Sequence, residues 1–412
     1  MCPRNSGARV NGVQNILTRG KLDGLTSVRF FFAMMVVVGH FTGQFAAEFG
    51  TLPGFVYNMA PLAVSWFFVL SGFIIAYNYP ELSTNKQRRD FFILRLARLW
   101  PVHCVVLTAA LFFLYVTNNS YLPRHKDWLF YHYTLTQTWT MNADIANGYN
   151  GPSWSVSNEL FFYIAYIGML APQRWLRILV VLAPIAIGAA LPIVHGCFLP
   201  VDSPGSTADS PHCNFLIFQF PPARLIEFVS GVVIYRMNLR IPQLIGLATA
   251  TAVFGCFIPP IPGIGNDPLA LTAVREILLV VGGGALIASL AKEGWLSRLL
   301  SFRPLVIGGE ISYSIYMTHQ VVNLGILPHI HGLGLSLTFL LVTTITITSS
   351  AFLFYFVEAP IRDAVKARLK TTTSAIEGRI KQAAELPIVQ FNKIDAVVGM
   401  QNGNVPRPTR SL

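Results

Sequence analysis

Long apolar runs broken by short polar stretches set the pattern of this chain from end to end. A bilayer core of about 30 Å takes roughly 20 apolar residues per helix. On that criterion ten stretches qualify: 25–47, 56–79, 91–117, 154–171, 175–195, 219–236, 243–260, 271–291, 305–326 and 333–357. In hydrocarbon every backbone N–H and C=O must be satisfied within the protein, which leaves helices or a closed barrel. Runs of this length suit helices. The pattern therefore predicts an all-α integral membrane protein with about ten transmembrane helices. One connection, 118–153, holds the aromatic segment "DWLFYHYTLTQTW". It is too polar to span and is expected in the interface, where Trp and Tyr are favoured.

Composition agrees with the pattern. The 412 residues are 53% hydrophobic and only 12% charged, with mean hydropathy +0.52. Soluble domains carry about twice that share of charge. The net charge of +11 would suit a polyanion partner such as nucleic acid, but the positions of the charges point to topology instead. With the N-terminus in the cytoplasm, only Arg124 and Lys126 of the 30 Lys and Arg residues fall in outer loops, and only Arg224 and Arg275 lie inside outer-half spans. The rest crowd the inner loops and ends, as the positive-inside rule requires. Both termini are thus expected in the cytoplasm, with residues 1–21 an arm, 22–362 the membrane domain and 363–412 a tail. The stretch "RDAVKARLKTTTSAIEGRIKQAAE" suits a cytoplasmic helix, and the polar end beyond it suits disorder. Some 20 polar residues precede the first apolar run, so no cleavable signal peptide is expected. Cys197 and Cys213 share the outer loop 196–218 and are either a disulfide or two thiols.

Ionisable residues within spans are costly and are candidate functional groups. At about 1.5 Å per residue from each span's centre, His40, Glu159, Arg224 and His319 fall at one level, roughly 6 Å to the outer side of the midplane. Arg275 and Glu276 lie somewhat further out. Arg29 and His40 stand eleven residues apart, so they share one helical face about 16 Å apart along the axis. Spacing alone leaves two readings: a snorkelling anchor with a packing histidine, or a pair of functional groups on one line. "WFFVLSGFIIAY" reads as helix packing through Ser71 and Gly72, and His103 behind Pro101 as a kink-associated polar group. "HIHG" at 329–332 is a poor metal signal, and no metal is expected.

Taken together, these stretches resemble the membrane-bound acyltransferase family three, O-acyltransferases of surface polysaccharides, lipopolysaccharide, Nod factors and macrolides. "LTSVRFFFAMMVVVGH" resembles that family's first helix, with its Arg and His separated by ten residues. "FFVLSGFIIAY" and "FFILRLARLWPVH" resemble the second and third helices, the latter with Arg95, Arg98 and His103 at matching positions. "NGPSWSVSNELFFY" resembles the segment that supplies Glu159. "RLIEFVSG", "GEISYSIYMTH" and "VEAPIR" complete the order, so the likeness covers roughly residues 22–363. Two departures stand out: Asn158 and Thr318, where larger or aliphatic residues are usual. They bear on acceptor fit.

The resemblance implies a bacterial inner-membrane enzyme that moves an acyl group, commonly acetyl, from cytoplasmic acyl-CoA to a hydroxyl of a glycan or lipid-linked sugar. A macrolide or other small molecule is the alternative acceptor. CoA is polyanionic, and Arg29, Arg88, Arg95 and Arg98 offer guanidinium groups at the inner face. His40 is then the expected general base, with Glu159 orienting or charge-stabilising it. His319 and Arg224 are candidates for stabilising an oxyanion, with His103 near the acceptor; Arg224 paired to Glu227 is the structural alternative. A reading from another class is a transporter or flippase, which also suits many spans with buried charges. Its halves should carry repeated broken helices, and "RLIEFVSG" has no counterpart five spans away.

Overall fold

The structure, a computed structural model, describes residues 22–44, 53–117, 126–197, 199, 210–256, 268–330 and 332–384. Every described regular element is helical. The long helices are α1 (Asp23–Gln44), α2 (Pro53–Asn78), α3 (Asn85–Val116), α4 (Trp154–Met169), α5 (Arg174–Val194), α6 (Pro221–Arg236), α7 (Gln243–Cys256), α8 (Pro268–Leu290), α9 (Ser312–Ile326), α10 (Leu335–Leu353) and α11 (Ala359–Ala384). Each of the ten apolar stretches thus falls on a helix. Six helical segments among the described residues are long and apolar enough to cross a bilayer by length and composition. The ends expected near 47, 56 and 260 border or lie in segments outside the described residues, as do the arm 1–21 and the tail from 385.

Local chemistry explains where the helices differ from the apolar runs. The third helix begins six residues before its apolar run because Thr84 caps it. The Thr84 hydroxyl accepts from Gln87 N (3.1 Å), and Gln87 Oε1 accepts from Thr84 N (3.1 Å). The run at 219–236 is preceded by a separate helix, Pro211–Phe218, and restarts at Pro221. Pro221 and Pro222 remove backbone donors at the first helical positions, where none is needed. The run at 305–326 is two helices, Arg303–Glu310 and α9, meeting at Ile311. After α10 the chain passes through a π-helical turn, Phe354–Glu358. The interfacial segment forms only short turns of helix, Lys126–Trp128, Leu129–Tyr133 and Gln137–Thr140.

α2 is the centre of the packing, between α1 on one side and α6 on the other, with α8 also against it. Small residues let the backbones approach. A Cβ at Gly72 would collide with the Phe228 carbonyl, and one at Gly231 with the Val69 carbonyl. The contact is reciprocal, the small-residue packing that membrane helices use in place of a hydrophobic drive between them. Large apolar side chains such as Leu182 of α5, Ile277 of α8 and Leu340 of α10 stay exposed, as expected for surfaces that face lipid tails. The chain divides into two compact units, the bundle up to Ile361 and a second unit from Arg362. The described part of the second unit is helical to Ala384.

Gly231→Val should lower stability by about 1–3 kcal/mol through overpacking, read as a fall in the thermal midpoint of the detergent-solubilised protein. Gly255, whose Cβ would meet nothing within 4 Å, is the control position. Equal midpoints for Gly231→Val and Gly255→Val would show that the α2–α6 approach is not needed.

Candidate active site

Two histidines meet at the far end of α1 from Arg29. His40 Nδ1 lies 2.7 Å from His319 Nε2, and His319 Nδ1 lies 2.7 Å from the Tyr316 carbonyl oxygen. The imidazole planes are 13° apart and their centroids 5.0 Å. That separation is close to the N···N distance plus two ring radii, so the rings meet edge to edge, not face to face. A carbonyl carries no proton, so His319 Nδ1–H donates to Tyr316 and leaves Nε2 as an acceptor. His40 must then donate from Nδ1, and its own Nε2 keeps a lone pair. That Nε2 has no hydrogen-bond partner among the described residues. His319 is 1% exposed, and His40 is half-buried.

The segment before α4 holds α9 in place for this contact. Asn150 Nδ2 donates to the Met317 carbonyl (3.1 Å), and Tyr316 OH donates to the Pro152 carbonyl (2.9 Å). Ser155 Oγ donates to Tyr316 OH (2.8 Å). Three residues around the first turn of α4 therefore grip the two residues of α9 that lie a turn before His319. Asn150 and Gly151 leave the interfacial connection at this point, so that connection sets the height of His319.

A cavity of about 140 Å³ opens on the Arg29 side of the same helices. Arg29 of α1, Arg95 and Arg98 of α3, Glu159 and Tyr163 of α4, and Tyr316 of α9 are among its walls. Among the described wall residues, three guanidinium groups stand against one carboxylate, an excess of positive charge. Arg95 is 7% exposed, its guanidinium stands 5.2 Å from the Tyr79 ring centroid, and its Nε is buried without a hydrogen bond. Arg98 Nε lies 4.0 Å from Glu358 Oε1, and Ser314 Oγ donates to Glu358 Oε2 (3.3 Å). Glu358 is the last residue of the π-helical turn, a feature frequent at functional sites. The cavity reaches Tyr316, one helical turn short of His319.

The remaining candidates have other partners. Glu159 lines the cavity and accepts from Tyr163 OH (2.6 Å); the partner of His40 is His319. Arg88 lies outside the cavity, its Nε donating to the Leu82 carbonyl (3.0 Å). His103 Nε2–H donates to the His132 carbonyl (2.8 Å), and His132 Nε2–H to the Ile145 carbonyl (2.9 Å). These two imidazoles pin the interfacial connection to α3. Burial pushes the interfacial His132 down to about 4, so it is neutral there. Arg224 is 3% exposed and engages Glu227 (2.8 Å), Glu276 (3.2 Å) and Ser65 Oγ (2.6 Å). It joins α6, α8 and α2, which is the structural alternative, widened by Glu276 and Ser65.

Sequence reasoning passed over Tyr163, Tyr313, Tyr316, Ser155 and Glu358. Tyr163 stands four residues after Glu159, so that pair was visible as a helical i,i+4 contact. The tyrosines of "ISYSIYMTH" carried no charge to mark them. Among the described residues no group of three or more His, Cys, Asp and Glu is placed to hold a metal ion. Cys197 and Cys213 form a disulfide.

By fold the chain is a multi-pass membrane protein. A family described as "Acyltransferase domain" matches residues 22–356, and the chain belongs to it. It is 30% identical over 324 residues to the acyltransferase MdmB of Streptomyces mycarofaciens, covering 73% of this chain and 79% of that relative. It is 22% identical over 376 residues to the O-acetyltransferase OatA of Staphylococcus aureus, covering 83% of this chain and 57% of that longer relative. No solved structure matches it significantly. The protein is an O-acyltransferase, and a carrier without acyl transfer is set aside.

Arg224→Ala would leave Glu227 as an uncompensated charge in the bundle, at a cost of about 3–5 kcal/mol. The expected result is a lower thermal midpoint and less folded protein. A variant as stable as wild type with a depressed kcat would instead put Arg224 in the chemistry.

Proposed function

We propose that the protein transfers an acetyl group from acetyl-CoA to a hydroxyl of a sugar, with His40 as general base. The observation that carries this reading is the chain of two hydrogen bonds from His40 through His319 to the Tyr316 carbonyl. It holds the His40 ring in the tautomer whose Nε2 can take a proton. An acceptor O–H at that nitrogen loses its proton to His40 as its oxygen attacks the thioester carbonyl carbon. The tetrahedral oxyanion then collapses, the C–S bond breaks, and the proton on His40 passes to the departing sulfur. The products are the O-acetyl ester and free CoA thiol. His319 is buried and held at Nδ1, so it stays neutral and orients His40 in the role a carboxylate has in serine hydrolases.

The donor side fits a polyanion. Arg29, Arg95 and Arg98 line one cavity, and the planar guanidinium fork suits phosphate oxygens. Arg29 precedes His40 by eleven residues, about 16 Å of helix, so an extended thioester arm can run between the two ends. Glu159, held by Tyr163, is the carboxylate among the cavity's described walls. Acetyl as the group transferred draws support from the likeness to the O-acetyltransferase OatA. An orientation with both termini in the cytoplasm of a bacterial plasma membrane draws support from the Lys and Arg distribution. A disulfide at Cys197–Cys213 suits the opposite, oxidising side.

His40→Ala should reduce acetyl transfer by about 10²–10⁴-fold while the protein stays folded in the membrane, measured with radiolabelled acetyl-CoA. Product at wild-type levels would sink the assignment. Arg29→Ala should chiefly raise the KM for acetyl-CoA, and a pure kcat defect would contradict a donor role.

A further inference from the structure

A second cavity, of about 410 Å³, lies apart from the one that Arg29 lines. Its walls include Trp128, Asp144, Asn147, Asn214, Phe215 and Gln219. Two short capped helices supply most of its walls, with Trp128 added from the turn Lys126–Trp128. Asn142 caps the helix Ala143–Asn147, its Oδ1 accepting from Asp144 N (2.9 Å) and Ile145 N (3.1 Å). Ser210 caps the helix Pro211–Phe218 by accepting from Cys213 N (3.1 Å), and the Cys197–Cys213 disulfide ties that helix to the end of α5.

The polar groups are arranged with capacity to spare. Asn147 Nδ2 donates to Gln219 Oε1 and Gln219 Nε2 donates to Asn147 Oδ1, both at 3.0 Å, which fixes both amides. One Gln219 N–H and a lone pair on each amide oxygen stay available. The Asp144 carboxylate and the Asn214 amide have no partner among the described residues. Fixed amides that both donate and accept, one carboxylate acceptor and a half-exposed indole match the surface of a pyranose. Its hydroxyls also donate and accept, and its C–H face packs on an aromatic ring. Among the described residues that line the cavity there is no Lys or Arg, which disfavours an anion. Asp144 is the one carboxylate among those described wall residues, which suits a divalent cation poorly.

The cavity wall is tied to α4 and, along the chain, to the segment that grips α9. The Gln219 carbonyl accepts from Asn158 Nδ2 (3.0 Å), and Asn158 Oδ1 accepts from Thr138 Oγ1 (3.0 Å). Asn158 is thus the tie between α4, the interfacial connection and this wall. Asn147 precedes by three residues, at most about 11 Å of chain, the Asn150 that grips Met317 beside His319.

We propose that this cavity is a remote subsite that holds a neutral, hydroxyl-rich ring of the acceptor, away from the hydroxyl that reacts. The inference rests on the preceding reading that the acceptor is a sugar. Such a contact would set register along a glycan, with binding energy remote from the reacting centre used to orient it.

The test is saturation-transfer NMR on the full chain in nanodiscs, with maltotriose and triacetylchitotriose as probes and EDTA present throughout. Saturation should pass to the ring C–H protons of at least one probe. Asn214→Ala and Trp128→Ala should weaken that binding about tenfold each, Trp128→Phe should retain it, and His40→Ala should retain it too. No transfer to either probe with wild type, transfer unchanged in Asn214→Ala and Trp128→Ala, or transfer restored only by calcium would overturn the subsite. Saccharide binding as expected from a protein that transfers nothing from acetyl-CoA would support the subsite and sink the proposed donor. Acetyl transfer to a sugar without binding here would do the reverse.

Discussion

Hydrocarbon offers no partner to a polar group, and each one left unsatisfied there costs several kcal/mol. This constraint organises the bundle from backbone to site. It makes the apolar runs helices, and it requires every ionisable side chain between them to find company within the protein. Arg224 finds Glu227, Glu276 and Ser65, and Arg98 finds Glu358. The polar groups therefore stitch helices that are distant in sequence, α6 to α8 and α2, and α3 to the turn after α10. Close backbone approach at Gly72 and Gly231 brings α2 and α6 near enough for the rest to follow.

The two imidazoles meet the same constraint by pairing with one another. A histidine that faced lipid or an empty gap would have to satisfy two nitrogens alone. Here His319 uses its own helix, the Tyr316 carbonyl, and passes its second nitrogen to His40. The arrangement depends on the rotation of α9, and that rotation is held by Asn150, Pro152 and Ser155 at the start of α4. The interfacial connection is in turn pinned to α3 by His103 and His132. A stretch of polar, aromatic chain at the membrane surface thus governs a contact inside the membrane.

Charge is sorted along the bundle. Arg29, Arg95, Arg98 and their acidic neighbours Glu159 and Glu358 occupy one end of the site, and the neutral imidazole pair the other. Around the connection before α4 many of the polar groups are amides and hydroxyls: Gln137 with Ser153, Thr138 with Ser157 and Asn158, Asn147 with Gln219, beside the Asp144 carboxylate.

The sequence by itself determined the fold class and the helical stretches, because run length against bilayer thickness is a one-dimensional quantity. It determined that Arg29 and His40 share a face, since helical period fixes that within one element. It contained the i,i+3 and i,i+4 pairs Arg224–Glu227 and Glu159–Tyr163, and the pattern Thr84–Gln87 that starts α3 before its apolar run. The family was legible because seven motifs occur in order. Only the tertiary structure decided that His319, not Glu159, meets His40, and that Arg88 and His103 serve the backbone outside the cavity. Depth arithmetic put four groups at one level, but level is only one coordinate. Which groups touch depends on how each helix is rotated about its axis and which neighbours it packs on, and those are set by side-chain interlock and small-residue approach across the whole bundle.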